Sequence, residues 1–432
     1  MTMSTSLMLF TRDLRVRDNP ALAAACRADR TVPLFVFDDA LLDGPFAAPN
    51  RVRFLLDALA DLRESLRGRG GDLVMRRGDP VTEVARLARE TGATELFLAD
   101  ERSAYARRRL AGLEELDLKV TACPGITVVP PGDLTPSGGD HYRVFTPYWR
   151  AWEASRWRPA AATPRAVRLP PGLTAGPLPD LTALTAGTPS PDLAEGGETA
   201  GRRRLARWLR DDAADYDEVH DDLAADRTSR LSPYLKFGCV SPREAAEAGP
   251  TGFRRQLAWR DFHHQVAAAF PDLPRADYRP RGRRWNHDED AFAAWCEGLT
   301  GVPIVDAGMR QLQREGFMHN RARLVTASFL TRDLGIDWRR GLGHFNDWLA
   351  DGDIADNAGN WQWVAGTGNS TRPDQVMNPL RQASRYDPSG AYVRRHLPEL
   401  ADLEGRTAHH PWTLPPDRRG ALAYPPPILD LD

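Results

Sequence analysis

The N-terminal part of the chain alternates short apolar segments with stretches of helical periodicity. The apolar segments lie at residues 6–10, 32–38, 73–75, 95–99 and 118–122. Between the second and third segments lies RVRFLLDALADLRESLRG, in which apolar residues recur at helical spacing. This alternation predicts a Rossmann-like α/β domain with a doubly wound parallel sheet, whose ligands usually bind at the carboxyl ends of the strands. No GxGxxG motif follows the first segment, so a nicotinamide dinucleotide fingerprint is absent there.

The rest of the chain has the pattern of a connector followed by helices. Residues 158–197 are rich in Pro, Gly, Ala and Thr and poor in large apolar side chains, which is typical of interdomain connectors. Beyond them, segments such as TAGRRRLARWLRDDAADY and GFRRQLAWRDFHHQVAAAF place apolar residues at helical spacing. We therefore predict an α/β domain over 1–130, a connector over 131–197 and an all-α domain over 198–432.

Composition narrows the class of protein. No charged and apolar leader opens the sequence and no run of about 18 apolar residues occurs, so we predict a cytoplasmic protein without a membrane span. The net charge of -2 excludes the basic excess of a protein that coats nucleic acid, but a local basic groove is compatible with it. The four cysteines form no CxxC pair, which disfavours a disulfide framework or a zinc site. We expect a monomer.

Two segments rich in glycine or hydroxyl residues, and one pair of histidines, are candidates for phosphate or metal binding. In TSRLSPYLKFG, residues 228–238, three hydroxyls and an arginine precede a helix-compatible segment, which fits either a phosphate seat or a turn capped by Ser232. GTGNST at 366–371 lacks the GK[ST] ending and a preceding strand, so we expect a plain loop. His263 and His264 have no further ligand at metal spacing, and we expect no metal site.

A set of longer motifs resembles one known family. The most specific are DGDIADNAGNWQWVAGTG at 351–368 and TSRLSPYL at 228–235, and further matches are FTRDLRVRDNPAL, WRDF, GVPIVDAGMRQL, GFMHNRAR and TASFL. Over nearly its whole length the chain is similar to the photolyase/cryptochrome family, and within it to the class I cyclobutane pyrimidine dimer photolyases. The resemblance implies an antenna domain, a helical domain that holds FAD, and light-driven splitting of pyrimidine dimers in ultraviolet-damaged DNA.

The resemblance also implies a set of FAD-binding residues. Carried over position by position, they are Tyr216, Thr228, Ser229, Arg230, Leu231, Ser232, Phe253, Arg260, Arg323, Asp351, Gly352 and Asp353. Arg323 matches the partner of Asp351, and a buried carboxylate needs such a counter-charge to stay ionised. Asn357 falls opposite flavin N5, where plant cryptochromes carry an acid and many animal ones a cysteine. A neutral amide at this position favours a repair enzyme.

Tryptophans carry two further functions that the resemblance implies. Trp361, Trp338 and Trp285 match a chain that conducts electrons from the surface to the flavin, for which easily oxidised indoles are suited. Trp259 and Trp363 match the two indoles of the lesion pocket, where stacking on a base is worth roughly 1–3 kcal/mol. The other implied contacts to lesion or DNA are Gln256, Asn320, Arg321, Leu324 and Gln382.

Several positions depart from the pattern of the dimer photolyases. Gln256 stands where these enzymes usually have glutamate, and Leu324 where they have methionine. Glutamine at the first position is commoner in (6-4) photolyases and animal cryptochromes, which carry a second histidine where Asn320 follows His319 here. His220 replaces a family arginine assigned to DNA contact. Dimer repair stays our prediction, with (6-4) repair and a cryptochrome-type blue-light receptor as alternatives.

Lys236, in LKFG, indicates which antenna chromophore the protein binds. It is similar to a lysine of the deazaflavin-binding branch, which the folate-binding branch lacks, although an ordinary helix-surface lysine fits the local pattern equally well. We predict 8-hydroxy-5-deazaflavin as the second chromophore, with methenyltetrahydrofolate as the alternative. By position, further antenna contacts are expected near Asn50, Arg51 and Asp100.

Overall fold

The computed structural model describes residues 3–44 and 47–430. A five-stranded sheet forms the centre of the N-terminal domain, and its strands are parallel. The strands are β1 (Thr5–Phe10), β2 (Arg30–Phe37), β3 (Val74–Arg77), β4 (Glu95–Ala99) and β5 (Lys119–Cys123). Their order in space, β3-β2-β1-β4-β5, reverses direction between β1 and β4, which confirms the predicted doubly wound α/β fold.

Helices cover both faces of this sheet. The helices of the N-terminal region are α1 (Pro20–Ala25), α2 (Asp39–Leu42), α3 (Pro49–Arg67), α4 (Pro80–Thr91), α5 (Ala104–Glu114) and, after the sheet, α6 (Phe145–Ala154). Side chains of a strand point alternately to the two faces, so Leu7 and Leu9 of β1 join one core layer together with α4. Met8 and Phe10 join the opposite layer together with α1 and α3.

Residues 198–430 form the helical domain. Its helices are α7 (Glu198–Asp211), α8 (Tyr216–Val219), α9 (Ser232–Lys236), α10 (Pro242–Ala248), α11 (Thr251–Ala269), α12 (Glu289–Glu297), α13 (Pro303–Glu315), α14 (Asn320–Ser328), α15 (Trp338–Trp348), α16 (Ile354–Ala365), α17 (Pro379–Tyr386), α18 (Ala391–His396), α19 (Gly405–His409) and α20 (Pro416–Gly420). A π-helical turn, Phe329–Asp333, follows α14. Among the helices of the described chain, none combines the length and the apolar character that crossing a membrane requires.

The predicted connector, 131–197, contains more structure than its composition indicates. Helix α6 lies within it and buries Phe145, Tyr148 and Trp152, which recur at helical spacing. This face packs against α11, where the Trp152 indole donates to Asp261 at 2.9 Å. Part of the predicted connector therefore belongs to the packed core.

The two domains meet at the point where the strand order reverses. Arg12, just after β1, pairs with Glu101, just after β4, at 3.0 Å and donates to the carbonyl oxygen of Lys236 at 3.1 Å. The same guanidinium reaches Asp353, ahead of α16. Gly238 permits this close approach, because its φ is +66° and a Cβ there would lie 2.0 Å from the carbonyl oxygen of Arg12. The crevice that commonly binds ligands in such sheets is thus shared with the helical domain.

Candidate cofactor and DNA site

Helix α16 carries the predicted functional residues on two of its faces. Asp353 caps its amino end by accepting hydrogen bonds from two first-turn amides, at 2.9 and 3.2 Å. Asn357 and Trp361 follow at four-residue intervals, so they lie on one side of the helix. Trp363 lies about 200° around the axis from Trp361, since each residue turns an α-helix by about 100°. One helix can therefore serve two ligands at once.

Asp351, two residues before α16, is buried and fully paired. Arg323 donates to its two oxygens at 3.0 and 2.7 Å, and the Ser232 hydroxyl donates to the same carboxylate. The predicted Asp351–Arg323 pair is therefore present. It connects α14 to the loop that precedes α16. Gly352, between the two aspartates, is buried beside Arg51, whose Nη1 would lie 3.0 Å from a Cβ at this position.

Asp353 combines its capping role with an ion pair across the domain junction. Its carboxylate contacts Arg12 and lies 3.5 Å from Nε2 of His264. Burial alone would raise the pKa of Asp353, but Arg12 and His264 outweigh burial and hold the pKa well below its usual range. The charge is therefore retained at the point where α16 begins, and the positive end of the helix dipole favours it there.

The loop at 228–230 has the features of an anion-binding nest. From α7, Trp208 and Arg204 donate to the carbonyl oxygens of Arg227 (3.1 Å) and Ser229 (3.0 Å), which fixes one side of the loop. Among the described residues, the amides of 228–230 and the hydroxyls of Thr228 and Ser229 have no hydrogen-bond partner. Arg230 has a φ of +49°, which is rare for a residue with a side chain and typical of such nests. Free donors at this loop fit a phosphate group.

The resemblance places Arg230 among the FAD-binding residues, but its side chain is bound to two carboxylates. Its guanidinium pairs with both oxygens of Asp226, at 2.7 and 2.6 Å, and with Glu315 at 2.6 Å. These three bonds occupy most of its donors, so the backbone amide at this position is what remains for a ligand. Leu231, next along the chain, is buried and belongs to the hydrophobic core.

An aromatic group stands beside this loop. Tyr216 and Phe253 are both buried, and their rings meet edge to face at 5.9 Å around Trp208. The structure thus brings together two of the predicted FAD-binding residues. Arg260 lies elsewhere in the site: its Nη1 donates to the carbonyl oxygen of Ile126 at 2.7 Å, so much of its bonding holds the domain junction.

Buried polar atoms of α11 and α16 face each other at ion-pair distances rather than in hydrogen bonds. Nδ1 of His263 lies 3.4 Å from Oδ1 of Asp356, and Nε2 of His264 lies 3.5 Å from Oδ2 of Asp353. Their hydrogen-bonding capacity is unmet within the described residues, and a polar ligand could supply it. His264, Asp353 and Asp356 also bring ligand atoms within 4.8 Å of one another, a cluster that the metal-free expectation did not foresee. Arg12 already neutralises the central carboxylate, so this cluster fits a metal ion poorly.

The amide of Asn357 is oriented by a neighbour that the resemblance did not indicate. Its Nδ2 donates to Oδ1 of Asn346, on α15, at 2.7 Å. This bond uses the donor end of the amide. The carbonyl oxygen of Asn357 is left as the acceptor for a ligand N–H.

The three predicted electron carriers converge on the first turns of α15. Trp361 is buried, and its ring lies against Gly341, where a Cβ would be 2.1 Å from the indole. Trp338 is buried at the start of α15. Trp285 is half-buried, and an isolated parallel bridge between Asn286 and Ile336 places it next to that start. The series therefore runs from an enclosed indole towards the surface.

Charged neighbours surround the middle indole. Nε1 of Trp338 donates to Asp277 at 2.9 Å, and the guanidinium of Arg339 lies 4.6 Å from the centroid of its ring. Arg339 also pairs with Asp277 at 2.8 Å. The carboxylate and the guanidinium oppose each other in their effect on a positive charge at the indole.

The predicted lesion-contact residues lie on helices α11, α14, α16 and α17. Trp259 is half-buried and stacks on Phe145, with the ring centroids 3.7 Å apart and the planes 8° from parallel. The sequence analysis did not identify Phe145. The helical spacing of the aromatic residues of α6 was the signal that could have indicated its burial. Gln256, one turn before Trp259, is exposed. Oε1 of Gln382, on α17, is buried without a partner within the described residues.

The remaining predicted contacts come from the start of α14. Asn320 is exposed at its first position, and Leu324 is half-buried one turn later. Arg321 is not free, because it pairs with Asp221 and lies over the ring of Tyr386. Sequence reasoning gave no indication of this pairing.

Lys236 lies at the domain junction. Lys236 is half-buried there, and burial, together with Arg12 and Arg51, lowers its pKa to about 7. Asn50 and Arg51 do not hold their side chains free for a chromophore. They donate to the carbonyl oxygens of Trp348 (2.6 Å) and Leu349 (3.0 Å), which secures the loop before Asp351.

Comparison with known proteins agrees with these features. The family model "DNA photolyase" matches residues 6–166, and "FAD binding domain of DNA photolyase" matches residues 253–432. A deoxyribodipyrimidine photo-lyase of Streptomyces griseus is 52% identical over 99% of this chain and 97% of its own length. The chain belongs to the DNA photolyase family.

Two solved structures of photolyases share the fold closely. A class III photolyase from Agrobacterium tumefaciens superposes with a TM-score of 0.91 at 34% identity, covering 100% of this chain and 95% of that one. An archaeal photolyase from Sulfolobus tokodaii, described with two FAD molecules, gives a TM-score of 0.88 at 30% identity, covering 99% and 96%. The helical domain of this photolyase-family chain is thus an FAD-binding domain, as predicted.

Gly341 provides a test of how the enclosed indole is held. Gly341→Ala places a Cβ 2.1 Å from the Trp361 ring, and we expect this overpacking to cost about 1–3 kcal/mol and to shift the indole. Gly343→Ala is the matched control, because nothing lies within 4 Å of its Cβ on the same helix. Thermal unfolding and the near-ultraviolet circular dichroism of both variants measure the effect. Equal behaviour of the two variants would show that Gly341 does not confine Trp361.

Proposed function

We propose that this protein repairs cyclobutane pyrimidine dimers in DNA with light, using FAD held between the nest at 228–230 and the start of α16. The observation that carries the proposal is the two-faced helix α16. One side presents Asp353, Asn357 and Trp361, and the opposite side presents Trp363. A cofactor and a flipped nucleotide can therefore be bound by the same rigid element.

In this proposal each group of residues has a defined task towards FAD. The free amides and hydroxyls of 228–230 bind the phosphates, and Tyr216 and Phe253 form the wall beside them. Because Asn346 already holds the Nδ2 end of Asn357, its carbonyl oxygen would be the acceptor towards the flavin ring. Bound in reduced form, the flavin would supply the electron chemistry that splits the dimer.

The lesion pocket lies between two indoles in this proposal. Trp259 is half-buried and is held by its stack on Phe145, so it would lose little side-chain freedom on binding a base. Trp363 forms the opposite wall, and Gln382, whose buried Oε1 has no partner within the described residues, is assigned to lesion or backbone contact. A damaged base costs less to extrude than a stacked one, which gives selectivity.

We assign the second chromophore to the domain junction near Lys236, with 8-hydroxy-5-deazaflavin favoured over methenyltetrahydrofolate. The lowered pKa of this lysine, about 7, leaves it able to act as a neutral or charged donor near neutral pH. The archaeal relative, whose second FAD is described as a light-harvesting cofactor, sets a precedent for a second chromophore in this fold. Extraction of the purified protein and chromatography of its pigments identify the molecule.

Illumination of the reduced holoprotein with a duplex that carries one defined lesion tests the function. We expect the cyclobutane dimer to be converted to two pyrimidines and a (6-4) product to stay unchanged, with chromatography of the digested DNA as the measurement. Turnover of the (6-4) duplex combined with no turnover of the dimer would overturn the substrate. Absence of either reaction would favour the cryptochrome alternative.

Trp361→Phe tests the electron path. The substitution removes little ring volume, so we expect nearly parental FAD binding but light-driven reduction of oxidised FAD slowed at least tenfold. Chemically reduced Trp361→Phe should still repair dimers, because repair itself does not use the path. Photoreduction at the parental rate, in the presence of the same external donor, would remove Trp361 from the path.

Gln256→Ala tests lesion recognition. The Gln256 side chain is exposed and free, so its loss leaves polar groups of the lesion unpaired and should weaken lesion binding by about 1–3 kcal/mol. Affinity for undamaged duplex should not change, which is the internal control. Gln256→Glu should be tolerated, with repair that depends more on pH. An equal loss on damaged and undamaged DNA would place Gln256 outside the lesion pocket.

A further inference from the structure

The predicted DNA contact Arg321 is already held by a carboxylate. Its Nη2 and Nε donate to the two oxygens of Asp221 at 2.5 and 3.2 Å. Its guanidinium also lies over the ring of Tyr386, 4.3 Å from the centroid. The side chains of Arg321 and Asp221 remain 17% and 26% exposed. The arginine thus reaches solvent, but its charge is neutralised before any nucleic acid arrives.

Asp221 belongs to an acidic segment, residues 211–226, which carries seven aspartates and one glutamate and no lysine or arginine. Three of these aspartates pair with Arg227 and Arg230, next to the phosphate nest. Among the described residues, Asp221 is the one member that pairs with a residue of the predicted DNA-contact set. Its position therefore differs from that of the other acids in the segment.

Contacts other than the one with Asp221 also position the Arg321 side chain. It lies on the first turn of α14, and the stack on Tyr386 fixes the plane of its guanidinium. A partly exposed ion pair adds little stability. The main consequence of Asp221 is thus electrostatic, because it cancels the attraction between Arg321 and a phosphate.

We propose that Asp221 is an internal competitor for Arg321, so that DNA binds by replacing this carboxylate with a backbone phosphate on one guanidinium. The displaced carboxylate then takes up a cation from solution, which offsets the counterion that the phosphate releases. Arg321 consequently adds less to affinity and to its salt dependence than an arginine without a carboxylate partner would. Because the exchange involves the DNA backbone, it lowers binding of damaged and undamaged DNA equally and leaves discrimination to the stacking pocket.

This inference rests on the proposed function only in that the start of α14 faces DNA. Asp221→Asn tests it, since the amide has nearly the same shape and still accepts a hydrogen bond from Arg321. We expect the dissociation constant for a short duplex, measured by fluorescence anisotropy at low salt, to tighten on the order of 3–10-fold. The log–log salt slope should steepen by up to about 0.9, because one released counterion is no longer offset. Both changes should be equal for undamaged and dimer-containing duplexes.

Asp222→Asn is the matched control. It removes the same formal charge from the neighbouring residue, whose carboxylate caps the amides of Ala224 and Ala225 and does not contact Arg321. We expect its effect on affinity and slope to be small, and Arg321→Ala to weaken binding. Weaker binding by Asp221→Asn would show that Asp221 positions Arg321, and equal gains in the two aspartate variants would show a general charge effect. Either result, or unchanged affinity of Arg321→Ala, overturns the inference.

The duplex series separates this inference from the proposed function. Equal affinity of the parent for damaged and undamaged duplexes would contradict lesion recognition, while the Asp221→Asn gain on undamaged DNA would still support the competitor role. No binding of any duplex by parent and variants alike would contradict the DNA interface, and the competitor with it.

Discussion

The contact between Asp353 and Arg12 is the constraint on which the rest of the site depends. Asp353 caps α16, and α16 carries the residues proposed to face both FAD and lesion. Arg12 lies where the strand order of the sheet reverses, so the ion pair connects the centre of the α/β domain to the start of this helix. A buried carboxylate without that partner would tend to protonate and release the cap.

The cations around the site are mostly committed to protein carboxylates. Arg12, Arg230, Arg321 and Arg323 each have an acidic partner, and the net charge of the chain is -2. The groups left for ligands are backbone amides, hydroxyls, amide side chains and indole faces. Such groups bind by geometry more than by charge, which suits the proposed binding of a neutral flipped base beside an anionic cofactor.

Much of the fold could be predicted from the sequence, because strand burial and helical periodicity leave direct signals. The five predicted strands match the observed ones to within about two residues at most ends, as is usual for boundaries. The sequence analysis did not predict helix α6. Its buried residues Phe145, Tyr148 and Trp152 lie within 131–197, which was assigned to the connector. The Asp351–Arg323 pair was implied by the family resemblance, and the structure contains it. The Asp221–Arg321 pair and the Phe145–Trp259 stack could not be predicted, because tertiary packing joins residues about a hundred positions apart and no local pattern records it.

The dissociation constant of FAD from Arg12→Met measures how strongly the Arg12–Asp353 pair holds the FAD site in place. The substitution leaves Asp353 as a buried carboxylate without its main partner, which should loosen the start of α16 and weaken FAD binding at least tenfold, since removing one partner of a buried pair costs about 3–5 kcal/mol. Arg17→Met, in the same loop but half-exposed, should bind FAD as the parent does. Parental FAD affinity of Arg12→Met would show that the Arg12–Asp353 pair is not needed to hold the FAD site.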